Sequence, residues 1–163
     1  PDKPATGYRH YPSEAISRLP EQKIAELIFP AGFFREKARN IKKTALLLYR
    51  DGGRVPHTME GLLKLPGVGR KTANLVLFLG FGIDAICVDT HVHRISNRLG
   101  WVHTKTPKQT ETALTNFLPQ KYWGEINWLM VSFGKRICTP LSPFCSTCKI
   151  ESLCEKRGVK KYR

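Results

Sequence analysis

The chain has 163 residues, 41% of them apolar, with 27 Lys and Arg against 13 Asp and Glu, a net charge of +14. That length suits one ordinary domain or two small ones with a real core, and no run of about 18 apolar residues is present to span a membrane. The charge points to a polyanionic partner, most often nucleic acid. Its basic residues are spread through "REKARNIKK", "GRKTA", "HVHRISNR" and "FGKR", which favours a binding face over a disordered arm. The first residues, "PDKPATGYRHY", lack the apolar stretch of a signal peptide and an initiator Met. A fragment or a processed chain is expected.

Helices joined by short turns are predicted throughout. Residues 13–18 form a short helix with Ser13 as N-cap. Pro20 opens a second, with Ile24, Leu27 and Ile28 at helical spacing, and Gly32 ends that segment. "FREKARNIKKTALLLYR" reads as a longer helix, apolar at Ala38, Ile41, Ala45, Leu46 and Leu48. Thr58 caps "MEGLLKL", with Glu60 near the capping-box position. "KTANLVLFLGF" is helical. "GIDAICV" is strand-like in composition, but no second strand is evident to pair with it, so a buried connector is expected. A helix follows from about residue 90, another starts at "TP" (106–107), and "QKYWGEINWLMVSFGKR" reads as one more. Only the Cys-rich tail lacks a period. The expected division is into residues 11–83 and 84–163.

Between two of these helices lies "LPGVGRKTA". Gly67 and Gly69 let the backbone turn tightly and approach a ligand closely. The helix start beyond them offers free N–H groups to a phosphate. The puzzle is Arg70 and Lys71, because a helix N-terminus disfavours cations. An unprotonated amine is a nucleophile, and a positive helix end beside a second cation favours the unprotonated form. Pairing of Lys71 with a phosphate is the alternative.

Five cysteines are present, and four of them, Cys138, Cys145, Cys148 and Cys154, crowd the end of the chain. Nothing else suggests secretion, so a metal site is the better reading than disulfides. Their gaps of six, two and five residues suit either Zn²⁺ or an iron–sulfur cube. Cys87 reads as a small buried apolar residue.

"LPGVGRKTA", then "VDTHVHR", then the C-x6-C-x2-C-x5-C tail resemble the endonuclease III family of DNA glycosylases, in the helix-hairpin-helix glycosylase superfamily. The resemblance runs from about Ala31 to Cys154. It implies an all-α fold: a helical barrel-type domain with the hairpin, plus a helical iron–sulfur domain. The family's further N-terminal helices are not found in this sequence. It implies a bifunctional glycosylase/AP lyase that removes oxidised pyrimidines and nicks 3′ to the abasic site by β-elimination. Lys71 matches the family's attacking lysine and Asp89 its aspartate. Cys138, Cys145, Cys148 and Cys154 match the ligands of a [4Fe–4S] cluster.

Further roles follow from the resemblance. Gly67, Val68, Gly69, Arg70 and Thr72 would meet DNA, Phe33 falls at the family's wedge position with Phe34 as core, and His91 would line the cleft. His93 is read as a surface or phosphate contact. The segment "TPLSPF" between the first two cysteines carries no charge, so Lys135, Arg136 and Lys149 are the expected phosphate contacts there. The expected partner is duplex DNA with damaged bases or abasic sites, met by a monomer without a membrane. The expected location is the nucleoid of a prokaryote, or a eukaryotic nucleus or mitochondrion. Two alternatives are a mismatch or purine glycosylase and a non-catalytic, metal-stapled DNA-binding module. Lys71 and the close of the chain soon after Cys154 speak against the purine enzyme.

Overall fold

The computed structural model describes residues 12–163, and every regular element among them is helical. The first residues, including the opening residue of the expected 11–83 domain and the segment tested for a signal peptide, lie outside them. The described residues group into two compact units that divide at Gly69 and Arg70.

The first unit holds α1 (Pro12–Arg18), α2 (Glu21–Ile28), α3 (Phe34–Arg50) and α4 (Met59–Leu63). Both α1 and α2 pack on α3. The small Ala38 is fully buried there, and Ile24, Ala25 and the half-buried Phe34 close the cluster. Lys42 of α3 donates to the carbonyls of Ser17 (3.3 Å) and Leu19, which satisfies acceptors left over at the end of α1. Ser13 is not the N-cap: the helix already includes Pro12, and the buried Ser13 hydroxyl finds no partner among the described residues. Proline is well suited to a first turn because its missing N–H is not needed there.

Thr58 caps α4 as expected, its Oγ1 accepting from Gly61 N–H at 3.1 Å. The third helical position is therefore Gly61, not Glu60, and no reciprocal box forms. After α4 the chain turns, with Val68 N–H donating to Leu65 O and the Thr44 hydroxyl of α3 donating to Pro66 O, both at 3.1 Å. Gly67 takes φ 76°, a left-handed conformation that a side chain resists.

The second unit begins with α5 (Arg70–Phe81) and continues through α6 (Thr90–Leu99), α7 (Pro107–Phe117) and α8 (Ile126–Arg136). α6 packs against α7 and α8 around Val92, Ile95, Leu114 and Met130. Gly134 of α8 makes room for this, since a Cβ there would strike His91 and Arg94. The expected single helix over 120–136 is two pieces, a 3₁₀ turn (Gln120–Tyr122) and α8. Between them Gly124 sits against the Phe78 ring where no Cβ fits, and Trp123 Nε1 donates to Leu118 O at 2.9 Å. The 84–88 connector is not a strand: Ile86, Cys87 and Val88 are buried core.

Candidate active site

Within the second unit, one pocket gathers Arg70 and Lys71 from the first turn of α5, Asp89 from the end of the connector, and Lys108 and Glu111 from α7. Lys71 is exposed and Asp89 half-buried. Eighteen positions separate the two in sequence, and the buried connector returns the chain to the start of α5.

Asp89 is the N-cap of α6, its Oδ1 accepting from the backbone N–H groups of His91 (2.8 Å) and Val92 (2.9 Å). Those bonds fix the orientation of the Asp89 side chain. Beneath Lys71, the Cys87 thiol faces the Lys71 carbonyl at 3.4 Å. Burial pushes this thiol up, so it stays protonated.

Arg70 behaves differently from the expectation of a cation turned to DNA. Its Nη2 and Nε donate to Glu111 Oε1 and Oε2 at 2.6 and 3.2 Å. The hydrogen bond to Glu111 raises the arginine's already high pKa, so the guanidinium stays charged. Glu111 is invisible to sequence reasoning: the partners are 41 positions apart, and no periodicity links α5 with α7.

Of the other expected residues, Thr72 and both hairpin glycines are exposed, with Val68 half-buried. Phe33 is 82% exposed and left-handed (φ 57°) immediately before α3. Phe34 joins the core and meets Phe29 edge-on at 5.4 Å. His91 does not line the Lys71 pocket; its Nδ1 lies 3.1 Å from Arg94 Nη2. His93, expected at the surface, is tied to Thr110 at 2.6 Å, in a network with Asn97 and Thr104.

The four C-terminal cysteines line a single, mainly apolar pocket with Ile95 and Phe133. Among the described residues, no group of three or more His, Cys, Asp or Glu is placed to hold a metal ion. The sulfurs do have hydrogen-bond donors around them. Arg98 Nη1 lies 3.4 Å from Cys138 Sγ, and Lys156 N–H lies 3.4 Å from Cys154 Sγ. Arg98 is itself buried and donates to the carbonyls of Thr139 and Pro140, both at 2.7 Å. Arg163 takes Ser142 O (3.2 Å) and Pro143 O (2.8 Å). The uncharged 139–144 loop is thus gripped through its carbonyls by two arginines. Lys135, Arg136 and Lys149 are exposed.

A hairpin of this kind leading into a helix, with a lysine at its start and an aspartate in the same pocket, defines a class. Residues 8–120 match the model of the HhH-GPD superfamily base excision DNA repair proteins. The chain is 53% identical to Endonuclease III of Thermotoga maritima over 93% of its length, spanning 73% of that protein. It is 50% identical to the chloroplastic Endonuclease III homolog 2 of Arabidopsis thaliana over 86% of its length, spanning 39% of that protein. Among solved structures it is similar to a trapped Endonuclease III–DNA covalent intermediate, with 38% identity, a TM-score of 0.82, and coverage of 91% of this chain and 70% of that one. The chain belongs to the endonuclease III family, base excision repair DNA glycosylases that also act as AP lyases.

Proposed function

We propose that Lys71 and Asp89 carry the chemistry of this glycosylase/lyase, acting on oxidised pyrimidines in duplex DNA. The observation that carries this reading is that Lys71 and Asp89, the cap of α6, line one pocket. The amine attacks C1′ of the damaged nucleotide, and the C1′–N bond breaks with its electron pair leaving on the base. The fixed carboxylate stabilises positive charge developing on the sugar and assists proton transfer. The Schiff base between Lys71 and the opened sugar acidifies C2′, and loss of that proton expels the 3′ phosphate. Water then releases the lysine.

The base must leave the stack first, which costs a few kcal/mol. Phe33, exposed at the head of α3, is suited to fill the gap. The backbone N–H groups of Gly67 and Gly69 and Thr72 at the α5 start serve as phosphate contacts, with Val68 meeting DNA through its side chain, since its N–H donates to Leu65 O. Arg70 enters that set only if it leaves Glu111, and His91 only if it turns from Arg94.

Cys138, Cys145, Cys148 and Cys154 fit a [4Fe–4S] cluster as an all-sulfur donor set around one apolar pocket with N–H donors at two sulfurs. These four residues would hold the cluster, which would staple a loop-rich tail. The protein acts as a monomer, at the nucleoid or in the compartment that holds the genome it repairs.

The test is borohydride trapping on duplex carrying thymine glycol. Wild type should leave a covalent protein–DNA adduct and Lys71→Gln none, with DNA binding retained. An adduct of undiminished yield from Lys71→Gln would assign the nucleophile elsewhere and leave Lys71 as a phosphate contact.

A further inference from the structure

The mechanism above makes no use of Glu111, although its carboxylate lines the Lys71 pocket and is only 14% exposed. Its two oxygens take the Nε–Nη2 edge of the guanidinium of the residue immediately before the lysine. No acid lies in the first turn of α5, so local sequence offers nothing to offset two adjacent cations at a positive helix end. The compensating charge comes from α7. We propose that Glu111 is a positioning residue for the Lys71 amine, acting through Arg70: its carboxylate anchors the guanidinium to α7 and cancels its charge inside the lysine's own pocket. The proposal rests on Lys71 being the nucleophile.

The groups that face this pocket are Arg70 beside Lys71 on α5, Asp89 before α6, and Lys108 with Glu111 on α7. Cys87, beneath the lysine, stays a neutral thiol. Three cations therefore face two carboxylates, and removing either member of the Arg70–Glu111 pair changes the field at the amine in a known direction. Without Glu111, a bare guanidinium beside the amine works against the ammonium form. Without Arg70, a bare carboxylate works for it. A salt bridge that merely held α5 to α7 would weaken both variants alike and shift neither profile.

The experiment measures the single-turnover borohydride-trapping rate against pH on an abasic-site duplex, which bypasses base release. Glu111→Gln should move the midpoint of the profile to lower pH and Arg70→Ala to higher pH, each on the order of half a unit. The double variant Arg70→Ala/Glu111→Gln should return close to the wild-type midpoint. Coincident midpoints in wild type and Glu111→Gln, or shifts of the same sign in both single variants, would overturn the proposal. Each single variant carries a predicted sign of its own, so misfolding of one leaves the other decisive. Failure of the wild type to trap at all would count against the lysine reading, not against this pair.

Discussion

The side-chain amide of Asn74 in α5 donates to the carbonyl of Ile86 at 2.9 Å, and both residues are buried. Asn127 of α8 does the same for Cys87 O at 2.9 Å. These two amides take the place of a neighbouring strand, so the apolar connector can be buried without sheet hydrogen bonds. Asn74→Leu keeps the approximate volume but orphans a buried carbonyl. It should cost about 1–3 kcal/mol in equilibrium urea unfolding, and a loss below about 0.5 kcal/mol would mean that the carbonyl is satisfied without Asn74.

The two hairpin glycines should respond in opposite ways. Gly67 has φ 76°, and a Cβ on it would lie 2.9 Å from the Asn40 amide. Gly67→Ala should therefore destabilise the fold by about 1 kcal/mol or more. Gly69 has no positive φ, and a Cβ there meets nothing within 4 Å. Gly69→Ala should melt like wild type yet bind duplex DNA several-fold more weakly, because the methyl stands where phosphate would approach. Unchanged affinity in a gel-shift titration would remove Gly69 from the DNA interface.

Asp89 combines two roles that substitutions can separate. Asn still accepts from the N–H groups of His91 and Val92, so Asp89→Asn should keep stability within about 0.5 kcal/mol. Asp89→Ala should lose about 1 kcal/mol of capping. Both should slow base release by roughly 10²-fold or more. If the Asn variant excised thymine glycol at the wild-type rate, the carboxylate charge would have no part in the reaction.

Protein purified without air should be brown and contain roughly four iron and four sulfide per chain. Cys148→Ser should reduce soluble yield before it alters chemistry. Zinc at one per chain, with neither iron nor sulfide, would sink the cluster assignment.

Binding to undamaged duplex should weaken steeply with salt. Neutralising about five phosphates gives a slope near −4.5 in log K against log salt concentration. A flat response would assign the +14 charge to something other than DNA.

Much of this architecture is legible in sequence. The bounds of α3 and the Pro107 start of α7 follow from local composition and helix-start chemistry, and the non-strand character of 84–88 from the want of a strand to pair with it. Lys71 and Asp89, which line one pocket, stand out through the order of the family motifs and not through composition. What stayed hidden depends on partners distant in the chain. The break at Gly124 comes from a ring on α5. His93 is drawn inward by Thr110. The answer to two cations at the head of α5 lies 41 residues away in Glu111. Periodicity reports which face of a helix is apolar, not which polar side chain will cross to meet it.

α6 makes one of these long-range links directional. Asp89 sits at its head. Near its foot, buried Arg98 is fastened to two carbonyls of the cysteine loop and to the Cys138 sulfur. Ten helical residues at about 1.5 Å each make a rod of roughly 15 Å. The carboxylate is therefore surveyed from a datum in the tail, and a tail that loses its shape moves the zero mark. Damage to the cysteine loop would be felt at the far end of α6, as a displaced Asp89 carboxylate.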